Sequence, residues 1–497
     1  MSDPLTGRHL LDAGWQPGPI MGAALEAAAT LQQVDALSRD ETLARLNRVR
    51  QSPADFAGDP LFGLLAERII QLEQPPPPPA IRAEPIPFRT WGDDFEPITL
   101  QQMTNAAHLP ISQAGALMPD GHPGYGLPIG GVLATDNAVI PYGVGMDIAC
   151  RLRLSIFHEP PDMLRSERDR FRKALLFNTR FGIGKGVGEW EPYEQRHHPV
   201  LDDPRWDEVP FLSHLHDLAV RQLGTSGTSN HFAEWVALTA LEDVPRLGLR
   251  AGDLRLCFVT HSGSRGVGAN IAREYTAIAK AAQRQLPKQY QELAWLSLDS
   301  EAGQEYWMAM QLAGDFASAN HRVIHQTVIA AAGLEVAAFV ENHHNFAWEE
   351  EHRGQTLIVH RKGATPAGKD VLGVIPGTMA DTGYIVVGLG NADSLNSSSH
   401  GAGRPRSRTA SKQLITRHQR DAYLRQRGVE LLNPDAGVDE APQAYKNPAE
   451  VMAQQLDLVR PVASFMPLMV MMSGEKGWGG KSSGKGKGKK KGKKRRR

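Results

Sequence analysis

Two helical patterns open the chain. "MGAALEAAATLQQVDAL" and "SRDETLARLNRVRQS" bring apolar residues back at helical spacing, which gives a helix one dry stripe. Ser38 stands where an N-cap is expected, with a hydroxyl to accept from the first unpaired amides. The pattern predicts a helical extension over 1–74. Five prolines follow, Pro75 to Pro79, and predict a stiff extended linker over 75–84. Beyond residue 85 the periodicity changes. "LRLCFVTHSG", "QTLIVHRKG" and "GYIVVGLG" are short apolar runs that stop in glycine-bearing turns, as strands do. Residues 276–297 and 303–332 return to helical spacing. The expected body is a mixed α/β (α+β) domain over 85–478 with one large core. Its strand ends form loops suited to carry a site.

No apolar run reaches the ~18 residues of a membrane span. The N-terminus lacks a charged-then-apolar leader pattern, so the expectation is a cytoplasmic protein with no membrane partner. Charge alters the picture at one end. The formal net charge is zero, but residues 481–497 hold 11 of the 55 Lys and Arg and no acid, which leaves the rest of the chain at −11. A tail of that composition, 479–497 with its flank, buries nothing and is expected to be disordered. It is either a phosphate-binding arm or a solubility feature.

The chemistry gathers at histidines that follow strand-like or glycine-rich stretches: His122 in "MPDGHPGYGLPIGG", His231 in "GTSGTSNHFAEW", His261 in "VTHSGSRG", His344 in "ENHHNFAWEE" and His400 in "SLNSSSHGAGR". In "GVGMDIAC", Asp147 precedes Cys150 by three residues, and the only other cysteine is Cys257. Two cysteines are too few for a disulfide framework. One Asp, one Cys and several His suit Mn, Fe, Co or Zn better than Mg or Ca. No CxxC or HExxH pattern marks a standard zinc site. "HRKGAT" sets Arg361 and Lys362 before a glycine, a pattern suited to an anionic ligand. "PGTMADTG" and "SHGAGR" are further small-residue loops. Together these point to phosphoryl or nucleotidyl transfer, without a Walker P-loop or GxGxxG.

In order along the chain, "MPDGHPGYGLPIGGV", "GVGMDIAC", "GTSNHFAEW", "HSGSRG", "HHNFAWEE", "HRKGAT", "PGTM", "SHGAGR" and "YKNPAEV" resemble the motifs of the RtcB family of RNA-splicing ligases, over roughly residues 100–450. The resemblance implies that family's α/β fold, with a metal centre at the bottom of a cleft. It also implies a ligase joining RNA 3′-phosphate or 2′,3′-cyclic phosphate ends to 5′-hydroxyl ends, with GTP, two Mn²⁺ ions and a histidine–GMP adduct. The implied partners are RNA ends and GTP, and no protein partner is indicated. By the same resemblance Cys150 bridges the two ions, Asp147 and His231 complete one, and His261 and His344 the other. His400 is the implied nucleophile and Asp120 the carboxylate that orients it. The implied nucleotide contacts are Asn230, His231, Phe232, Glu234, His344, Asn345, Pro376, Gly377, Thr378, Met379, Gly401, Ala402, Gly403 and Arg404. Glu234 would read the guanine edge and Arg404 lie next to phosphate, while His122 has a structural role.

The chain also departs from the family pattern. Thr378 and Gly383 stand where two serines are usual, and Pro366 where an arginine is common. Met472 occupies the place of a guanine-contacting lysine, with Lys476 the nearest replacement and so the last implied nucleotide contact. The helical extension has no counterpart in the family; its "GWQPGPIMGAALEA" bears a short likeness to a helical segment of tRNA nucleotidyltransferases. The altered pocket leaves an alternative open, an Mn-dependent phosphodiesterase or phosphatase that has lost GMP transfer.

Overall fold

A computed structural model of the chain describes residues 4–15, 19–34, 37–73, 79–182 and 198–474. The linker prolines 75–78, Lys476 and the basic tail lie outside the described residues. The chain divides into two compact units, Met1–Pro79 and Ala80–Arg497.

In the first unit, helices Gly7–Asp12, Pro19–Val34, Arg39–Gln51 and Gly63–Glu73 bury Leu10, Leu31, Leu46, Val49 and Ala66 against one another. Ser38 caps the third of these helices. Its hydroxyl accepts from the Glu41 N–H at 3.4 Å, while the Glu41 carboxylate accepts from the Ser38 N–H at 3.0 Å.

The second unit is built on two sheets. A five-stranded sheet runs in the order β1 (Phe88–Thr90), β2 (Ser112–Tyr125), β3 (Leu127–Thr135), β11 (Gln355–Lys362), β10 (Asn345–His352). An eight-stranded sheet runs β13 (Leu372–Ile375), β14 (Gly383–Gly388), β17 (Val459–Met472), β6 (Phe232–Ala240), β7 (Leu254–Ser262), β5 (Arg151–Ile156), β9 (Ala338–His343), with β16 (Glu430–Leu431) paired to β17. Two short pairs complete the strands: β4 (Ala138–Val139) with β8 (Leu296–Ser297), and β12 (Ala364–Pro366) with β15 (Ser397–Ser399).

The larger sheet curls until its two ends meet. The Asn342 side-chain oxygen on β9 accepts from the Val374 N–H on β13 at 2.7 Å. Strand alternation then sorts its side chains. Leu152, Leu154, Val236, Val259 and Ile385 fill the inside of the curl. Phe157, Trp235 and Phe258 point outward and pack on Ile324 and Val328 of the helix Glu301–Ala332. That helix ends on Gly333, which takes the left-handed conformation at φ 59°.

The sequence placed a helix over 276–297. The structure instead runs it from Arg265 to Ala282, followed by a 3₁₀ turn Lys288–Leu293 and the short β8. Pro287 lies between these segments and supplies no N–H to continue the ladder. No helix among the described residues is long and apolar enough to cross a membrane.

Candidate active site

The antiparallel ladder gathers the candidate ligands. β5 pairs Leu152 with His261, and β6 pairs Phe232 with His261. β5 also pairs Arg151 with His343 on β9. The starts of β5 and β6 therefore lie beside the ends of β7 and β9. Cys150 directly precedes β5, His231 precedes β6, His261 is the penultimate residue of β7, and His344 follows β9. Residues scattered over almost 200 positions of sequence thus meet at one end of one sheet.

Their donor atoms converge. Cys150 Sγ lies 3.1 Å from His261 Nε2 and 3.5 Å from His231 Nε2. His261 Nε2 is 3.2 Å from His344 Nε2, and His231 Nε2 is 2.9 Å from an Asp147 oxygen. Two triads result, Cys150–His261–His344 and Asp147–Cys150–His231, each with its donor atoms within 4.8 Å and both sharing the cysteine. The tautomer of His261 is fixed from outside: Nδ1 lies 3.0 Å from the Asn230 carbonyl oxygen, so it carries the proton and donates. That leaves the Nε2 lone pair facing the cluster, as a ligand's must.

Electrostatics keep His261 and His344 neutral and Asp147 ionised, and keep the Cys150 thiol protonated. Burial, reinforced by His231 and His400, holds His261 well below the usual imidazole range, and burial with His400 and His261 does the same for His344. Burial works against the Asp147 charge, but the attraction and hydrogen bond of His231 outweigh it and lower the carboxyl to about 2. Burial, then the Asp147 carboxylate, pushes the Cys150 thiol well above its ordinary range. A buried thiol beside a carboxylate and three imidazoles has little to gain from ionising unless a cation is present, and a cation reverses that balance. The donor set, one shared thiolate with three nitrogens and one carboxylate, fits borderline divalent metals.

The backbone around the cluster is strained and close. Ala149 (φ 56°), Ser229 (φ 68°) and Arg265 (φ 59°) adopt the left-handed region without being glycine, at a cost of order 1 kcal/mol each. Each stands within four residues of a cluster ligand. A Cβ on Gly263 would sit 2.7 Å from the Asp147 carboxyl carbon, so only glycine lets the carboxylate lie there.

His400 stands beside the cluster, its ring 4.8 Å from that of His344. Its Nδ1 is 2.6 Å from one oxygen of Asp120, which is fully buried. The same oxygen accepts the N–H groups of His400 at 3.1 Å and Gly401 at 3.3 Å. An anionic acceptor at that distance keeps the proton on Nδ1 and the lone pair on Nε2. The Gly363 Cα is so close to the ring that a Cβ there would lie 3.1 Å from it, and a Cβ on Gly403 would meet the Asp120 carbonyl carbon at 2.8 Å. The small residues around His400 answer to this crowding. Two triads share one buried thiol, only Asp147 among their members is partly exposed, and an oriented imidazole stands next to them.

Residues 102–473 match the family described as "tRNA-splicing ligase RtcB". An RNA-splicing ligase RtcB from Escherichia coli K12 is 33% identical over 77% of this chain and 96% of its own length. A tRNA-splicing ligase RtcB from Nanoarchaeum equitans is 32% identical over 78% of this chain and 95% of its own, and one from Thermococcus kodakarensis is 32% identical over 78% and 94%. The chain belongs to the RtcB family. The helical unit before residue 80 lies outside the matched span.

The residues that the family resemblance assigned to nucleotide line the same region with unequal freedom. Asn345 is spent on structure: its Oδ1 accepts from the Gly363 N–H at 2.8 Å and its Nδ2 donates to the Asp147 carbonyl at 3.2 Å. Asn230 acts through its carbonyl on His261. The Phe232 ring packs 5.6 Å from the His261 ring. Glu234 is 3% exposed with no side-chain partner among the described residues, and burial alone pushes its carboxyl well above the usual range. Pro376, Gly377, Thr378 and Met379 form the turn between β13 and β14. There the Thr378 hydroxyl donates to Asp381 at 2.6 Å, and the Pro376 carbonyl approaches Gly401. Gly401, Ala402 and Gly403 are buried directly after His400.

Three cationic residues are engaged by the fold. Arg361, read as an anion clamp, forks onto Glu350 (3.0 Å from one nitrogen) and onto the Ser397 hydroxyl at 2.7 Å. Lys362 is buried and donates to the Tyr125 and Tyr142 carbonyls. Arg404 is buried and bound to Glu440 at 2.6 Å, to the Tyr445 hydroxyl at 2.8 Å and to the Asp439 carbonyl. All three satisfy acceptors of the fold itself. His122 does what a structural residue does, its Nδ1 2.9 Å from the Asp120 carbonyl. The Gly383 departure fits its packing: a Cβ there would meet the edge of the Phe465 ring, so a serine at this position requires that ring to shift.

Sequence reasoning missed Gly263 and the Asn230 carbonyl. Gly263 sits in "HSGSRG", where the small residue between His261 and Arg265 was a legible signal of close approach; a backbone acceptor leaves no sequence signal at all.

Proposed function

We propose that this protein is an RNA ligase that joins 3′-phosphate or 2′,3′-cyclic phosphate ends to 5′-hydroxyl ends in RNA repair or tRNA splicing, using GTP, manganese and a GMP adduct on His400. The observation that carries this reading is the 2.6 Å contact of His400 Nδ1 with buried Asp120, which frees Nε2 beside the two triads. Nε2 attacks the α-phosphorus of GTP; the N–P bond forms, the α–β phosphoanhydride breaks and pyrophosphate leaves. Positive charge develops on the imidazole in that step, and Asp120 stabilises it while holding the ring's orientation. An oxygen of the RNA 3′-phosphate then displaces the histidine from GMP. A 2′,3′-cyclic end is first hydrolysed by water to the 3′-phosphate; the 5′-hydroxyl then attacks the activated 3′-phosphate, its proton passes to solvent, and GMP departs with the bonding electrons. Manganese, held by Asp147, Cys150 and His231 and by Cys150, His261 and His344, would supply Lewis acidity against the phosphate charge.

Guanine presents adjacent N–H donors on its Watson–Crick edge, where adenine offers an acceptor. The buried Glu234 carboxyl has no protein partner, and once ionised against guanine it accepts from both donors. The test is incubation with GTP and Mn²⁺ followed by peptide mass spectrometry. GMP on the His400 peptide is expected. Full metal occupancy without any nucleotide label would refute the ligase and favour the phosphodiesterase reading.

A further inference from the structure

A second pocket opens on the opposite face of the larger sheet. Strand alternation sends His261 toward the inside of the curl and its neighbour Thr260 outward, where the Thr260 hydroxyl meets His321 at 2.7 Å and His325 at 2.9 Å on the helix Glu301–Ala332. Between this helix and the edge strand β9 lies a cavity of about 870 Å³, the size of sites that hold nucleotide-sized ligands. Its lining carries three guanidinium groups, Arg153, Arg246 and Arg322, and no carboxylate.

The arginines are not used up by the fold. Arg322 is exposed and has no hydrogen-bond or ion-pair partner among the described residues. Arg246 donates to a backbone carbonyl, that of Asp370, at 2.7 Å. Arg153 shares Glu341 with Arg151, at 2.6 Å and 2.5 Å, so one carboxylate faces two cations. The Arg153 Nε is buried without a partner, although the side chain as a whole is only 11% exposed. The pocket also has a planar apolar element. Phe339 on β9 is 53% exposed, and the Arg153 guanidinium lies 4.1 Å from its ring centroid.

From these features we infer that this pocket binds a nucleoside phosphate, with its base stacked against the Phe339–Arg153 platform and its phosphate held by Arg246 and Arg322. Flat bases stack on aromatic rings and guanidinium planes, and arginine forks match phosphate oxygens. A free nucleotide and a nucleotide within an RNA strand present the same chemistry, so the test carries an arm for each. The full-length protein is titrated with adenosine 5′-diphosphate by calorimetry and with a short single-stranded RNA bearing hydroxyl groups at both ends by fluorescence anisotropy. The proteins compared are the wild type, the Arg246→Gln/Arg322→Gln double variant and Phe339→Ala.

Binding is expected to weaken about tenfold or more in the double variant, and about tenfold in Phe339→Ala from the lost stack. Loss confined to the diphosphate assigns the pocket to free nucleotide; loss confined to RNA, or shared by both, assigns it to a strand. All three substitutions alter exposed side chains, and unchanged GMP labelling of His400 in the variants would show an intact catalytic cleft independently of the pocket. Binding of both probes by both variants with wild-type affinity would overturn the inference, whatever the labelling shows.

Discussion

Asp120→Asn tests what the negative charge behind His400 contributes. Three donors converge on one oxygen of Asp120: the His400 Nδ1–H at 2.6 Å, the His400 N–H at 3.1 Å and the Gly401 N–H at 3.3 Å. An asparagine there must turn its oxygen to these donors, because its NH₂ can accept none of them. The two backbone N–H groups therefore hold the amide in the productive sense and preserve the His400 tautomer. What is lost is the negative charge. A charge-assisted hydrogen bond contributes about 1.5–3 kcal/mol against about 1 for a neutral one, so the difference is about 0.5–2 kcal/mol. At 1.36 kcal/mol per decade this is an about 2- to 30-fold slower adduct formation, far short of the ~10⁴ that a wrong tautomer costs in a comparable triad.

The NH₂ would take the place of the other Asp120 oxygen, which is buried without a partner near Gly130, so some thermal stability should be lost too. The assay is rapid-quench guanylylation with labelled GTP under single-turnover conditions, alongside metal analysis, which should be unchanged. A rate equal to that of the wild type would refute the contribution of the Asp120 charge. A fall of ~10⁴ would show instead that the backbone donors do not pin the amide.

Other expectations follow from the same geometry. Cys150→Ser should lower bound manganese toward zero by plasma mass spectrometry because both triads share this sulfur, whereas Cys257→Ala, buried on β7, should leave metal content intact. Gly263→Ala should displace the Asp147 carboxylate and cost metal affinity while the protein still folds; wild-type affinity by competition with a chelator would contradict this. Gly383→Ser should lower the melting temperature by clashing with Phe465, and Phe465→Leu in the same chain should restore part of it, a coupling readable by a double-mutant cycle.

A pH effect on stability is also expected. Burial, then Arg151, depresses His321 to about 3, and burial with His321 holds His325 well below its usual range. The unfolded chain therefore binds more protons below pH 6.5. Stability is present above that value and falls as pH drops toward 3, by up to about 1.4 kcal/mol per pH unit for each histidine. His321→Leu should shrink the difference in urea midpoint between pH 7 and pH 5, and an unchanged difference would remove His321 from the account.

The sequence alone determined most element types and the family. Periodicity separates the helical extension from the strand-bearing body, Ser38 announces its cap, and His, Cys and Asp beside glycine single out the residues that could hold a metal. These signals are local, since helical spacing, capping and turn chemistry act within a few residues. Only the tertiary structure decided which polar groups are free. Arg361, Lys362 and Arg404 read as anion binders in the sequence, yet Glu350, two tyrosine carbonyls and Glu440 from distant segments consume them. The helix expected over 276–297 begins at Arg265 because the "HSGSRG" turn feeds straight into it, and it ends before Pro287. The Asn230 carbonyl that fixes His261, the oxygen of Asp120 shared by three donors, and the arginine cluster beside Phe339 depend on strand register and on which face each residue presents. Sequence spacing names the residues that can act; the long-range pairing of β5, β6, β7 and β9 determines which of them meet, because a one-residue change of register would turn every one of those side chains to the other face.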